Sequence, residues 1–295
     1  MMNYESILKK LLKSISGCET LSRQGVHETI NGILGLLEDK VKRDIVFFKV
    51  RNQFEYLVKS QQIIDMYKLA AEISKRLFIN IHDFTHALYV CKYAILYHSF
   101  LYPLIKNSPA IPRAMNDEWE SLFVILSGAI CHDAGRSYFK QRPEMGYDRI
   151  REEVEKGVHV HLTSPEKELA AKHAIEECVG YHEGKEEAPH YEAGIVMLAD
   201  VTDNDKTRVY PTEDEEVLRN DKEPINYYAC LGVDSITLEP TSQGVKIKIT
   251  LRDYAGVFVF QEIKRRRELS KLKDFVKIDV HLNINNNVAK TIENL

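Results

Sequence analysis

Leu122-Phe123-Val124-Ile125-Leu126-Ser127-Gly128-Ala129-Ile130-Cys131-His132-Asp133-Ala134-Gly135-Arg136 joins a strongly apolar run to an adjacent His-Asp pair. The run reads as a buried helix, and the pair falls at its C-terminal end. A carboxylate there faces the negative end of the helix dipole, where anions are disfavoured. Burying it without a partner costs on the order of several kcal/mol. A bound cation removes that objection. The stretch therefore predicts both a helical core and a metal centre whose remaining ligands lie elsewhere in the chain.

Outward from this stretch the sequence stays helical. Apolar residues at helical spacing predict helices over 5–15 and 27–46, with Gly17 and Gly25 as breaks, and one long helix over 52–77. A helix is expected from about Asp83 to Tyr102, then a loop marked by Asn107, Pro109 and Pro112. Asn116 or Asp117 caps the helix that runs through Trp119 to His132. Residues 137–163 are polar, contain Pro143 and Gly146, and read as an exposed loop or short helix. Ser164 and Pro165 open a helix to Gly180, and another covers about Tyr191 to Thr207.

The character changes after about Pro224. Val233 to Leu238 and Val245 to Leu251 alternate like half-buried strands around a Pro240-to-Gly244 turn. Phe258 to Leu272 reads as a basic helix containing Lys264-Arg265-Arg266-Arg267, and Phe275 to Leu282 as a third strand. The expected fold class is mainly α. A helical domain spans 1–220, with the helices of 1–78 packed on it. A small α+β unit (β-β-α-β) spans 225–285, and 286–295 form a frayed tail.

Composition narrows the partners. At 44% hydrophobic and 28% charged residues the chain reads as globular, and a net charge of −4 offers no broad basic field for nucleic acid or an anionic membrane. No apolar run approaches the roughly 20 residues that span a bilayer. The start, Met1 to Ser6, carries an early acid and reads as no secretory signal. Cys18, Cys91, Cys131, Cys178 and Cys230 are scattered, which suits reduced thiols in a cytoplasmic protein. The chain is compatible with a homodimer.

Candidate ligands appear on both sides of the His132-Asp133 pair. His82 and His86, four apart, share one helical face if the helix begins at His82. His86 then joins the inward stripe of Tyr89, Val90 and Tyr93, where its alternative is a hydrogen-bonded core histidine. For His82 a surface or capping place stands beside a ligand role. Asp200 lies in the apolar stretch Ala193 to Val201, and buried carboxylates are almost always paired or metal-bound. Asp203, one turn on, either shares that face or belongs to the exposed run Thr202-Asp203-Asn204-Asp205. His161 and His182 flank the helix opened by Ser164, with His159, His173 and His190 as competitors. Nitrogen and carboxylate ligands without cysteine suit Mn, Fe, Co, Ni or Zn better than Ca. One or two divalent ions per chain are expected, Mg included. An open coordination position would hold a water of lowered pKa, the nucleophile for hydrolysis.

The order His86, His132-Asp133, Asp200, all on helices, resembles the signature of the HD superfamily of metal-dependent phosphohydrolases. The match is closer to an archaeal branch with a C-terminal α/β extension. Asn80 to His86 is similar to that branch's Asn-Asp-His-Gly-x-x-His opening, with Ile81 and Asp83 departing from it. Cys131 to Arg136, His161-Leu162-Thr163-Ser164, Ala199 to Asp203 with Arg208 downstream, and Tyr254 to Phe258 resemble later segments. The resemblance covers about residues 70–285. It implies an HD-type helical domain with His86, His132, Asp133 and Asp200 on a first metal. It also implies that Asp133 bridges to a second metal held by His161 and His182, with His159 as the alternative to His161.

The expected activity is metal-dependent hydrolysis of a phosphate ester or anhydride in a small molecule, with a nucleotide as the favoured class. Asp133 and His132 with Arg136 are the expected catalytic group. His82, Asp203, Lys206 and Arg208 are the expected substrate contacts, Arg208 and Arg136 lying near the phosphate because a guanidinium matches its oxygens bidentately. The competing readings are a non-catalytic nucleotide-binding regulatory module and a metal-dependent nuclease.

Overall fold

The computed structural model describes residues 26–77, 80–135, 143–162, 164–209, 224–284 and 287–291. They are mainly α-helical, with one four-stranded sheet near the C-terminus. In chain order the helices are α1 Val26–Arg43, α2 Phe48–Lys59, α3 Gln61–Leu77, α4 Phe84–Ile105 and α5 Glu118–Cys131. They continue as α6 Pro143–His161, α7 Pro165–Tyr181, α8 Tyr191–Thr202, α9 Pro224–Leu231 and α10 Val257–Leu269.

Three helices form the centre because their sequences are apolar on nearly every side. All 12 residues of α8 are buried, and in α5 every residue from Glu120 to Cys131 is. α4 is the third, and these helices pack on one another, with α1, α2 and α7 around them. Gly128 permits the crossing of α5 and α7: a Cβ there would lie 2.5 Å from Cys178 Cβ. One apolar cluster runs without interruption from Ile30 on α1 to Leu282 in the sheet.

Three stretches differ from the sequence reading. The single helix expected over 52–77 is two, because Ser60 adopts an extended backbone and its Oγ accepts from Ile63 N at 3.4 Å, capping α3. Apolar spacing carries across that break, so periodicity alone hides it. Much of the polar segment 137–163, expected as an exposed loop or short helix, is the 19-residue helix α6. Ile150, Val154 and Val158, four apart, are fully buried, and so narrow a stripe is easily missed among charges. Within the expected tail, Asn287–Thr291 forms a fourth strand. The helix expected over 5–15 lies outside the described residues.

The strands are β1 Val233–Thr241, β2 Gly244–Leu251, β3 Val276–Ile284 and β4 Asn287–Thr291, in that spatial order. β1 and β2 form an antiparallel hairpin, β2 and β3 run parallel with α10 as the crossover, and β4 returns antiparallel to β3. Val245, Ile247, Ile249 and Leu251 alternate as the buried face of β2. The sheet packs against α4, and α10 packs against α8. No described helix is long and apolar enough to cross a membrane.

Glu192, in the first turn of α8, is fully buried. It accepts from Ser121 Oγ at 2.7 Å, Ala114 N at 3.0 Å and Met115 N at 3.4 Å. Burial alone would raise its pKa, but His190 and these donors outweigh that and hold it below the usual glutamate value. A depressed carboxylate stabilises the fold above its unfolded pKa, near 4.3, and loses that contribution as pH falls through the folded value. Glu192→Gln is therefore expected to lower stability by about 1–3 kcal/mol at pH 7. In urea unfolding the gap between variant and wild type should narrow below about pH 4. A gap independent of pH would refute the role given to the charge.

Candidate metal centre

The C-terminal end of α5, the N-terminal end of α4, the C-terminal end of α7 and the last turn of α8 meet at one point. Asp83 caps α4, its Oδ1 accepting from His86 N at 2.9 Å, which fixes the entry of His86 into the core. His132 and Asp133 follow the last residue of α5, His182 follows α7, and Asp200 belongs to α8. His86, His132, Asp133 and His182 are at most 1% exposed, and Asp200 is 7% exposed.

The imidazoles are oriented from behind. His86 Nδ1 lies 2.8 Å from Asp203 Oδ2, His132 Nδ1 2.8 Å from Ala129 O, and His182 Nδ1 2.7 Å from Val179 O. Each of those oxygens accepts, so each Nδ1 donates to it and each Nε2 is the nitrogen turned toward the cluster. The Nε2 atoms converge. His86 Nε2 is 3.1 Å from His132 Nε2, 3.0 Å from Asp200 Oδ1 and 3.6 Å from Asp133 Oδ2. His132 Nε2 is 3.3 Å from Asp133 Oδ2 and 3.6 Å from Asp200 Oδ1. Neighbouring ligands around one small cation stand about 3.0–3.5 Å apart when the metal–ligand bonds are about 2.1 Å. The set therefore fits a divalent ion.

His182 Nε2 adds a second indication. It is buried, has no hydrogen-bond partner among the described residues, and lies 3.4 Å from Asp133 Oδ1. A buried lone pair aimed at a carboxylate is costly unless a cation or proton lies between them. Among the described residues three overlapping groups could hold metal: His82, His86 and Asp133; His86, His132 and Asp200; His132, Asp133 and His182. Asp133 belongs to two of them, as a bridging carboxylate would.

The electrostatics match. Burial opposes a charge on His132, but Asp133 and Asp200 outweigh it and push its pKa up to about 10. Burial likewise opposes the charge on Asp200, yet Arg266, His132 and His86 hold its pKa well below the usual range. Asp200 thus remains anionic and draws positive charge into the cluster.

Other expected residues take different places. His82 precedes the helix rather than sharing its face, but it still reaches the cluster, with Nδ1 2.6 Å from Asp133 Oδ2. Asp203 is neither exposed nor turned outward; at 4% exposure it caps the end of α8 and holds His86. Arg208 is 2% exposed and braces the backbone: Nε donates to Ile81 O at 2.5 Å and Nη1 to Asp203 O at 3.1 Å. Its Nη2 lies 3.3 Å from His82 Nδ1. Lys206 bonds Asp234 Oδ1 at 3.0 Å, away from the cluster at the start of β1.

His161 is not brought to the other ligands. Its ring packs on Phe123, centroids 5.9 Å apart. Phe123 is roughly 13 Å along α5 from His132 at the standard helical rise. Helix α7, about 25 Å long by the same rise, separates His161 from His182. The competitor His159 is exposed and pairs with Glu168 at 3.2 Å. His173 is exposed, and His190 caps α8 by accepting from Ala193 N at 3.2 Å. Arg136 lies outside the described residues.

One residue of the cluster was not singled out from the sequence. Arg266 of α10 donates through Nη1 to Asp200 Oδ2 at 2.6 Å. The signal was present: Val259, Ile263 and Arg266 share one helical face, and the first two are buried. The basic block Lys264 to Arg267 suited a contact with a partner or effector equally well, so it did not single out Arg266.

The chain matches no family model, no curated protein and no solved structure.

Proposed function

We propose that this chain is a metal-dependent phosphohydrolase that cleaves a phosphate ester or anhydride in a small molecule, with a nucleotide as the first class to test. The convergence of His86 and His132 on each other and on Asp133 and Asp200, at separations of 3.0–3.6 Å, carries this reading. The resemblance of their order to the HD signature supports it.

His86, His132, Asp133 and Asp200 would hold a first ion, with His182 and the other oxygen of Asp133 available to a second. A divalent ion held there supplies Lewis acidity, polarising a phosphoryl oxygen and lowering the pKa of water toward about 7. The protein's part is orientation. Asp203, Ala129 O and Val179 O accept from the Nδ1 atoms and fix the histidine rings, so that each Nε2 is the nitrogen that would bind the ion. Burial of the carboxylates keeps bulk water from screening them. His82 donates from Nδ1 to Asp133 Oδ2 and holds that carboxylate in place.

Two measurements on the purified chain test this: elemental analysis for bound metal, then phosphate release from a nucleotide panel with Mn²⁺, Co²⁺ or Ni²⁺. The expected result is turnover that disappears with a chelator and returns with metal. A fully metal-loaded protein that binds nucleotides without releasing phosphate would instead identify a regulatory module.

A further inference from the structure

We propose that Arg266 is a positioning residue of the metal centre, its guanidinium fixing Asp200 and the backbone of His182 together and so making the C-terminal α/β unit part of the site. The proposal deepens the metal-centre reading and rests on it.

Arg266 Nη1 donates to Asp200 Oδ2 at 2.6 Å and to His182 O at 2.8 Å, while Nε donates to Glu262 Oε1 at 2.8 Å. One nitrogen therefore ties a carboxylate ligand on α8 to the residue that ends α7. The two oxygens of Asp200 are divided between tasks. Oδ2 belongs to the arginine, and Oδ1 faces His86 Nε2 at 3.0 Å and His132 Nε2 at 3.6 Å. A carboxylate free to rotate would present either oxygen to the cluster; the ion pair selects one.

The neighbouring side chain reinforces the clamp. Arg265 donates to the carbonyls of Gly184 and Glu183, just beyond His182, and also pairs with Glu262. α10 is held at the height this needs. A Cβ at Gly194 would collide with the carbonyl of Ser270, at the end of α10, so glycine lets that end dock against α8. Ala188 N also donates to Leu269 O at 2.9 Å. Ser270 meets Gly194 while Arg266 meets Asp200, so α8 and α10 lie antiparallel. The side chain of Arg266 is 12% exposed. Its planar fork makes three directed bonds at once, which a lysine ammonium on a flexible stem does not reproduce.

The test uses full-length wild type, Arg266→Gln, Arg266→Lys and, as a neighbouring control, Arg267→Gln. Each is stripped of metal and titrated with Co²⁺, read by calorimetry and by the visible absorption of the bound ion. Melting of the metal-free proteins reports the fold. Loss of an outer hydrogen-bond partner of a ligand weakens metal binding about 10–100-fold. Arg266→Gln should fall in that range with an altered Co²⁺ spectrum, Arg266→Lys should recover part of the affinity, and Arg267→Gln should match wild type. Wild-type affinity and spectrum in both Arg266 variants would overturn the proposal while leaving the metal centre intact. If Arg266→Gln does not fold, an Arg266→Lys protein indistinguishable from wild type overturns it alone. Absence of Co²⁺ binding by wild type would overturn the metal reading and this proposal together.

Discussion

Asp133→Asn is expected to abolish metal uptake and phosphate release together. Asp133 has one oxygen 3.3 Å from His132 Nε2 and 2.6 Å from His82 Nδ1, and the other 3.4 Å from His182 Nε2. Among the described residues it is the one carboxylate that reaches both ends of the cluster. It also sits just past the C-terminus of α5, where the helix dipole disfavours an anion, a cost that the histidines offset and a bound cation would offset further. The amide keeps the volume but removes the charge and turns one ligand oxygen into a donor. Loss of a direct ligand should exceed the 10–100-fold seen for outer partners, giving a drop in metal affinity of about 10³-fold or more. Metal content and phosphate release measured on the same preparation check this, with melting of the metal-free protein to exclude loss of the fold. Hydrolysis that persists at full metal content would sink the assignment.

Arg208→Ala is expected to be the most destabilising of the substitutions considered. At 2% exposure this guanidinium holds the carbonyls of Ile81 and Asp203, and its backbone carbonyl accepts from Ile81 N at 2.8 Å. It thereby fastens the segment leading into α4 to the segment leaving α8, the two that deliver His86 and Asp200. Removing one member of a buried charged network costs about 3–5 kcal/mol, because the remaining groups lose their compensation. At about 2–4 °C per kcal/mol the melting temperature should fall on the order of 10 °C. Thermal melting without substrate or metal measures it. A variant with wild-type melting and only a raised KM would restore Arg208 to the role of substrate contact.

The two predictions show why some roles were legible and others were not. His132-Asp133 and Asp200 betrayed themselves locally, because a charged or imidazole side chain inside an apolar run has few stable explanations. The strands showed in their period of two, and α4, α5 and α8 in their length and apolarity. Arg208 and Asp203 carried no such mark. An arginine or aspartate in a polar run looks the same whether it meets solvent, substrate or the back of a ligand. His161 was favoured by motif order, and the length of α7 separates it from the cluster that order had assigned it to.

The sequence by itself determined that this protein is mainly helical with a small C-terminal α/β unit. It also determined that His86, His132, Asp133 and Asp200 are charged or imidazole groups committed to the core. These follow from local physics: periodicity, dipole position and the cost of burying charge. Only the tertiary structure decided which histidine completes the cluster, which residues hold it from behind, and that Arg266, 66 positions after Asp200, closes it. Those facts depend on the height and direction at which α7, α8 and α10 pack. That is set by close contacts such as those at Gly128 and Gly194, between parts of the chain that are far apart in sequence.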